Sequence, residues 1–76
     1  MIQELEMVVL THDIPEHGLQ QGDIGAVVHL YSDKKGFEVE FVTAEGKTVA
    51  VLTLNETDVR SLNRGEILHV RNLAAA

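Results

Sequence analysis

The residues best equipped for chemistry lie close together near the N-terminus. His12, Asp13, Glu16 and His17 place two imidazoles and two carboxylates within six residues. Divalent first-row metals accept that mixture of ligands, which makes His12 and His17 the candidate metal ligands. Their separation falls in a stretch marked by proline and glycine, where no rigid scaffold fixes the two rings, so an acidic, solvated loop tip is the simpler reading. Gly18, Gly22 and Gly25 follow, a spacing that invites comparison with a phosphate loop. It departs from G-x-G-x-x-G because position 20 is Gln, and the segment runs into a strand-like pattern rather than a helix. These glycines are read as architectural, supplying positive φ and a close backbone crossing. Asp13 has a local role as well. Asx side chains bond the backbone two residues on and open turns, which would fix the start of Ile14-Pro15, with Ile14 and Leu19 pinning the loop to the body.

Glu38 and Glu40 form a second constellation. They share one face of a strand, about 7 Å apart, a spacing that general acid–base catalysis can use. They alternate with Phe37, Val39 and Phe41, and nothing in the pattern buries them, so a solvated strand face accounts for them. His29 and His69 stand among apolar strand residues and read as half-buried structural imidazoles. Ser32 and Ser61 fall in turns without a nucleophile elbow, so no Ser/His/Asp set assembles. The expectation is a protein without enzymatic activity and without a cofactor. Its contact surface is expected at Asp13, Glu16, His17, Glu38 and Glu40.

Composition narrows the function classes. Seventy-six residues make one domain, and a chain this short buries only ~60% of its unfolded surface. There is no cysteine, hence no disulfide and no thiolate zinc site. With no signal-peptide pattern at the start, a cytoplasmic location is expected. The longest apolar runs are about four residues, against the ~20 that a membrane helix needs. The net charge is −6, with six Lys and Arg against twelve Asp and Glu. Nucleic acid and anionic lipid are bound through clustered cations, so both are disfavoured as partners. Arg60, Arg64 and Arg71 offer the one local basic patch and read as ordinary surface.

The elements that must position these residues are strands. Leu5–Leu10 is the first, with Leu5, Met7 and Val9 inward and Glu4 and Glu6 outward. A long loop from Thr11 to Asp23 leads to Ile24–Tyr31. A turn at Ser32–Gly36, with Gly36 suited to positive φ, leads to Phe37–Val42. A tight hairpin with Gly46 leads to Thr48–Leu54. Asn55–Asp58 carries cap-forming side chains, and Val59 and Leu62 at three-residue spacing suggest a 3-10 or helical turn. Glu66–Val70 is the expected fifth strand. Residues 5–71 form the domain, and 1–4 and 72–76 are frayed termini. No helix is long enough for a parallel crossover, so neighbouring strands are antiparallel and must curl to bury one core and hide their edges.

That order is similar to the SH3-like barrel. It implies an all-β fold, a five-stranded, partly open antiparallel barrel with one short helical turn before the last strand. The segment Asp13-Ile14-Pro15, Gly18-Leu19 and Gly22-Asp23-Ile24-Gly25-Ala26-Val27-Val28 resembles the opening signature of a family of small uncharacterised bacterial SH3-like proteins, the domain of unknown function 4926 type. The same phrasing occurs in barrels of the nitrile hydratase β-subunit type and in ribosome- and photosystem-associated ones. The resemblance covers about residues 5 to 70, and it implies fold far more than function. Peptide-binding SH3 domains read polyproline with stacked aromatics. This chain has no tryptophan, one tyrosine (Tyr31), and Phe37 and Phe41 in core register, so a proline-rich ligand is disfavoured. The resulting expectation is a protein-interaction module for a basic partner. An antitoxin or immunity-type inhibitor and a metal-binding or nucleic-acid-associated accessory protein are the alternatives. A homodimer paired through an exposed strand edge is expected as one way for so small a chain to gain stability.

Overall fold

The alternation Phe37-Glu38-Val39-Glu40-Phe41 leaves this segment one way to sit on a core. In the computed structural model, which describes residues 2–33 and 35–73, it forms strand β3 (Phe37–Val42), with all three apolar residues buried. A hairpin turned at Gly46, φ 88°, joins it to β4 (Thr48–Leu54). On the other side of β3 lie β2 (Ile24–Leu30), then β1 (Met7–Leu10), then β5 (Val59–Ser61). All pairings are antiparallel, in the order β4-β3-β2-β1-β5. The protein is thus all-β, one five-stranded sheet that does not close on itself, in keeping with an SH3-like, partly open barrel. Register shifts between Val27 and His29 and between Phe41 and Val42 mark bulges, which bend strands and raise their twist. Inside the curl, Val8, Leu10, Val27, Val39 and Val59 are almost fully buried, and Ile14 and Leu19 from the long loop join them. Among the described residues the core holds no buried polar or charged side chain.

Four expectations are corrected. The first strand starts at Met7 because Leu5 sits at φ 68°, in the left-handed region that breaks a strand. The inward set is Val8 and Leu10 rather than Leu5, Met7 and Val9; Leu5 and Met7 are exposed, and Val9 is buried as well. Met7-Val8-Val9-Leu10 is apolar on both faces, so alternation carries no information about which face is which. Second, β2 ends at Leu30, and Gly36 does not adopt a positive φ. Third, Asn55–Asp58 closes a plain turn, with the Asp58 N–H donating to the Asn55 carbonyl at 3.0 Å. The 3-10 turn found among the described residues is Pro15–His17, within the long loop. Fourth, the fifth strand is Val59–Ser61, not Glu66–Val70. The chain reaches the free edge of β1 directly after the turn, pairing Leu10 with Val59, Val9 with Arg60 and Val8 with Ser61. With that edge filled, Glu66–Val70 has no ladder to join there and runs exposed and unpaired. The fraying expected at Met1 and at residues 74–76 lies outside the described residues, whereas Ile2 packs against the core.

Gly25 sets how tightly the sheet can curl. A β-carbon built there would stand 2.6 Å from Val39 Cγ1, 2.8 Å from Phe41 Cε2 and 3.0 Å from the Glu40 carbonyl oxygen. Two of these neighbours are core side chains and the third is backbone, so none can swing aside. Overpacking of this kind costs about 1–3 kcal/mol, and in a domain of this size each kcal/mol moves Tm by about 4–8 °C. Gly25→Ala is expected to lower Tm by roughly 5–20 °C, and Gly25→Val by more. Thermal unfolding followed by circular dichroism measures this, and an unchanged Tm in both variants would show that no close crossing exists at Gly25.

Candidate functional site

The long loop is fastened at its base, middle and tip. At the base, the Leu10 N–H donates to the Asp23 carbonyl and the Gly22 N–H to the Leu10 carbonyl, both at 2.9 Å. In the middle, Ile14 and Leu19 pair as an isolated antiparallel bridge with both side chains buried, the pinning expected of them. Between them Pro15 opens the 3-10 turn, its fixed φ suiting the first position, and Gly18 at φ 70° ends it. Glu16 and His17 stand exposed on that turn. Asp13 does brace the backbone, but its Oδ1 accepts the Gln21 N–H, 2.8 Å away and eight residues on, rather than an N–H two residues on.

His12 is exposed, but both its ring nitrogens are engaged by partners of its own chain. Its Nδ1 lies 2.9 Å from the Asp13 carbonyl oxygen and its Nε2 2.8 Å from Asp58 Oδ1. Both oxygens only accept, so the doubly protonated imidazolium is the form that satisfies both contacts. The Asp58 hydrogen bond, then the Asp13 carbonyl, raise the His12 pKa above its ordinary value. In return His12 holds the Asp58 carboxyl below the usual carboxylate range, helped by the Asn55 N–H. The latch joins the start of the loop to the turn before β5, where the Thr11 hydroxyl also donates to the Thr57 carbonyl at 2.6 Å. His17 makes no part of this arrangement, so the two candidate metal ligands are not brought together. Among the described residues no three His, Asp or Glu side chains converge as a metal site.

Two of the three arginines are likewise spent internally. Arg71 grips Asp23 with two N–H groups, Nε to Oδ1 at 2.8 Å, and donates to the Gly18 carbonyl at 3.0 Å. Burial pushes the Asp23 carboxyl up, but the hydrogen bonds from Arg71 and from the Gln20 N–H outweigh it and leave the group lowered. Arg60 makes a bidentate pair with Glu66, at 2.9 and 2.6 Å. That pair and the Asn63 N–H hold the Glu66 carboxyl down to about 2. No basic patch remains where Arg60, Arg64 and Arg71 suggested one.

The outer side of β3 is different. Glu38 and Glu40 project from it, and cross-strand register makes two rows. Met7, Ala26, Glu40 and Val51 line up across four strands, and His29, Glu38 and Thr53 across three. Both glutamates are half-buried rather than freely solvated. Glu38 accepts the Tyr31 hydroxyl and Glu40 the Thr48 hydroxyl, each at 2.8 Å. His29, expected half-buried, is 54% exposed, set edge-on to Tyr31 with ring centroids 5.1 Å apart and Nδ1 3.8 Å from Glu4. His69 is exposed too. Around the carboxylates Met7, the bulge residue Val28, Val42 and Val51 are each about half exposed, at 41–51%. Among the described residues no Lys or Arg lies within ion-pair distance of Glu38 or Glu40. No hydrogen bond or ion pair joins this face to the loop tip at Asp13, Glu16 and His17.

Two grooves flank the barrel. One, of about 510 Å³, separates the loop and tail from the β3–β4 hairpin, between Leu19, Phe41, Val49 and Leu73. The other, of about 460 Å³, is lined by Ile2, Leu30, Phe37 and Val59. Both are largely apolar in lining. No helix among the described residues is long and apolar enough to cross a membrane.

A fold of this class, with this loop and this strand order, has a family counterpart. Residues 4–61 match the model of the domain of unknown function DUF4926, and the chain belongs to that family. The match ends at Ser61, the last residue of β5, short of the residue-70 limit implied by the opening signature. The chain matches no curated protein and no solved structure.

Sequence reasoning did not find the His12–Asp58 latch or the Arg71–Asp23 clamp. Each joins residues more than 40 positions apart, and no local pattern encodes such a contact. The latch has a defined pH dependence. The His12 pKa is raised in the folded state, so its contribution to stability is full below the unfolded value near 6.5 and is lost as pH rises through the folded value. The lowered Asp58 pKa contributes above the unfolded value of 3.8, and that contribution is lost as pH falls through the folded one. The Tm deficit of His12→Ala relative to the parent is therefore expected to be largest below about pH 6.5 and to shrink as pH rises above it. Parallel melts across that range check this, and a deficit that grows with pH contradicts the latch.

Proposed function

We propose that this protein is a non-enzymatic, cytoplasmic interaction module whose outer sheet face docks a basic protein partner. The observation that carries the reading is the β3 face, where two half-buried carboxylates without cationic partners among the described residues are ringed by four half-exposed apolar side chains. Apolar surface with charged groups at fixed positions is the composition of a protein contact. A Lys or Arg from a partner supplies the missing counter-charge, and the valines supply the apolar area around it. The loop tip, with Asp13, Glu16 and His17, offers a second exposed acidic stretch. A net charge of −6 steers a basic protein toward it and repels polyanions. Basic toxins and basic enzymes fall within the class of partner described.

Affinity capture from the native host tests this with three baits: the parent chain, Glu38→Lys/Glu40→Lys, and Glu45→Lys as a control outside the face. The expected outcome is one stoichiometric partner of basic composition, retained by the parent and the control and lost by the double variant at unchanged Tm. Raising salt from ~50 to ~500 mM weakens a steered contact of this kind. Equal capture by parent and double variant would remove the β3 face from the proposal.

A further inference from the structure

The sheet ends in two very different edges. β5 is three residues long, and its central residue, Arg60, is locked to Glu66. β4 runs for seven residues, Thr48-Val49-Ala50-Val51-Leu52-Thr53-Leu54, with no charge and no proline, and its one register shift falls near its start, at Val49 between Thr48 and Ala50. Among the described residues it has no backbone partner beyond β3. Sheet proteins ordinarily blunt a long edge with Lys, Pro, a bulge in mid-strand or a covering segment. One edge of this molecule is short and charged. The other carries no Lys and no proline, and its bulge at Val49 leaves Ala50 to Leu54 in regular register.

The geometry points to the β4 edge as the place where a second copy of this chain pairs, β4 against β4, antiparallel about a two-fold axis. Charge selects the occupant. Two molecules of net charge −6 repel, so they associate stably only through surface that brings no carboxylates face to face. Of the two free edges, only β4 offers it. Just outside the strand stand Lys47 at one end and Glu56 at the other. Antiparallel self-pairing turns the cation of each copy toward the anionic end of its mate. Full overlap of seven residues sets Val51 opposite Val51 and Thr48 opposite Leu54, a self-complementary contact of the kind two-fold symmetry requires. Val51 also ends the row Met7, Ala26, Glu40, Val51. Pairing there carries that row across the axis, with the two Val51 side chains standing between the Glu40 of one copy and that of the other. The proposal does not depend on what the β3 faces bind.

The absence of cysteine makes a single reporter clean. Opposed residues on antiparallel strands have Cα atoms about 4.5–5.5 Å apart, within disulfide reach. Under mild oxidation Val51→Cys is expected to give a covalent dimer, and Val42→Cys, equally exposed on the same face but on β3, is not. Sedimentation equilibrium of the parent at ~100 μM is expected to give twice the chain mass, with added salt strengthening the association by screening repulsion. Val51→Lys is expected to be monomeric while melting at the parent's Tm in dilute solution, which separates lost pairing from lost folding. A parent that stays monomeric to ~1 mM, or a Val51→Cys variant that cross-links no faster than Val42→Cys, overturns the proposal. So does a dimer that survives Val51→Lys and is lost with Ile67→Lys, which would place the contact on the exposed segment after β5.

Discussion

The close approach of β2 to β3 at Gly25 is the constraint on which the rest of this structure depends. A sheet of five short strands encloses a core only if it curls, and with no tryptophan there is little bulk to fill a wide one. Glycine at position 25 lets Val39 and Phe41 lie against the β2 backbone itself. Across the strand pair Gly25 sits opposite Val8, one of the most deeply buried residues. The missing side chain is therefore felt on both neighbouring strands. The bulge at Val28 completes the bend by placing Val28 and His29 outside and returning Leu30 to the inner side. One residue without a side chain and one extra residue in the ladder convert a flat pattern into a container.

The polar contacts have another job. The His12–Asp58, Arg60–Glu66 and Arg71–Asp23 pairs lie at or near the surface, where solvent screens an ion pair and its contribution to stability is small. They do not hold the barrel together; the apolar core does that. They decide where the irregular segments lie. His12 ties the start of the long loop to the turn before β5, Arg71 ties the tail to the loop's base, and Arg60 ties the segment after β5 back to that strand. The same contacts consume cations. Among the described residues the arginines at 60 and 71 neutralise carboxylates of their own chain, and Glu38 and Glu40 on the β3 face and Asp13 and Glu16 at the loop tip are among the carboxylates left without a Lys or Arg. Where the protein is acidic follows from which acids its own bases leave alone.

How much of this was legible depended on whether a segment's pattern was one-sided. Phe37–Val42 and Thr48–Leu54 were readable to the residue, because strict alternation and a glycine hairpin admit one register. Gly25 was readable as a tight crossing because nothing else explained a glycine at the head of an apolar strand. β1 was readable as a strand but not in its facing, since it is apolar on both sides and its start is cut by the left-handed Leu5. β5 was missed because Val59-Arg60-Ser61 has no composition of its own to announce a strand. Ile67-Leu68-His69-Val70 has that composition and forms none, since an edge strand is made by an available ladder as much as by propensity. The site divided in the same way. Glu38 and Glu40 could be placed on one outward face from spacing alone. Their hydroxyl partners and the apolar ring around them depend on cross-strand register, which no local stretch records.

Register also separates the two halves of the acidic surface by what each contributes to a contact. Glu38 and Glu40 are half-buried, and each is held by a hydroxyl that fixes its rotamer without neutralising its charge. Part of their desolvation and ordering is already met in the free protein, which is the condition under which an ion pair adds affinity rather than merely breaking even. On the proposed reading, a partner's cation seated between them would be flanked by Met7, Val28 and Val51, and breaking such a contact would separate charges in a partly dry setting, an effect expressed in the dissociation rate. Glu16 and His17 sit on an exposed turn, where salt and water screen them. Charges of that kind accelerate encounter and tolerate substitution. On the reading proposed for this protein, the exposed turn would serve the first encounter with a basic partner and the β3 face its retention.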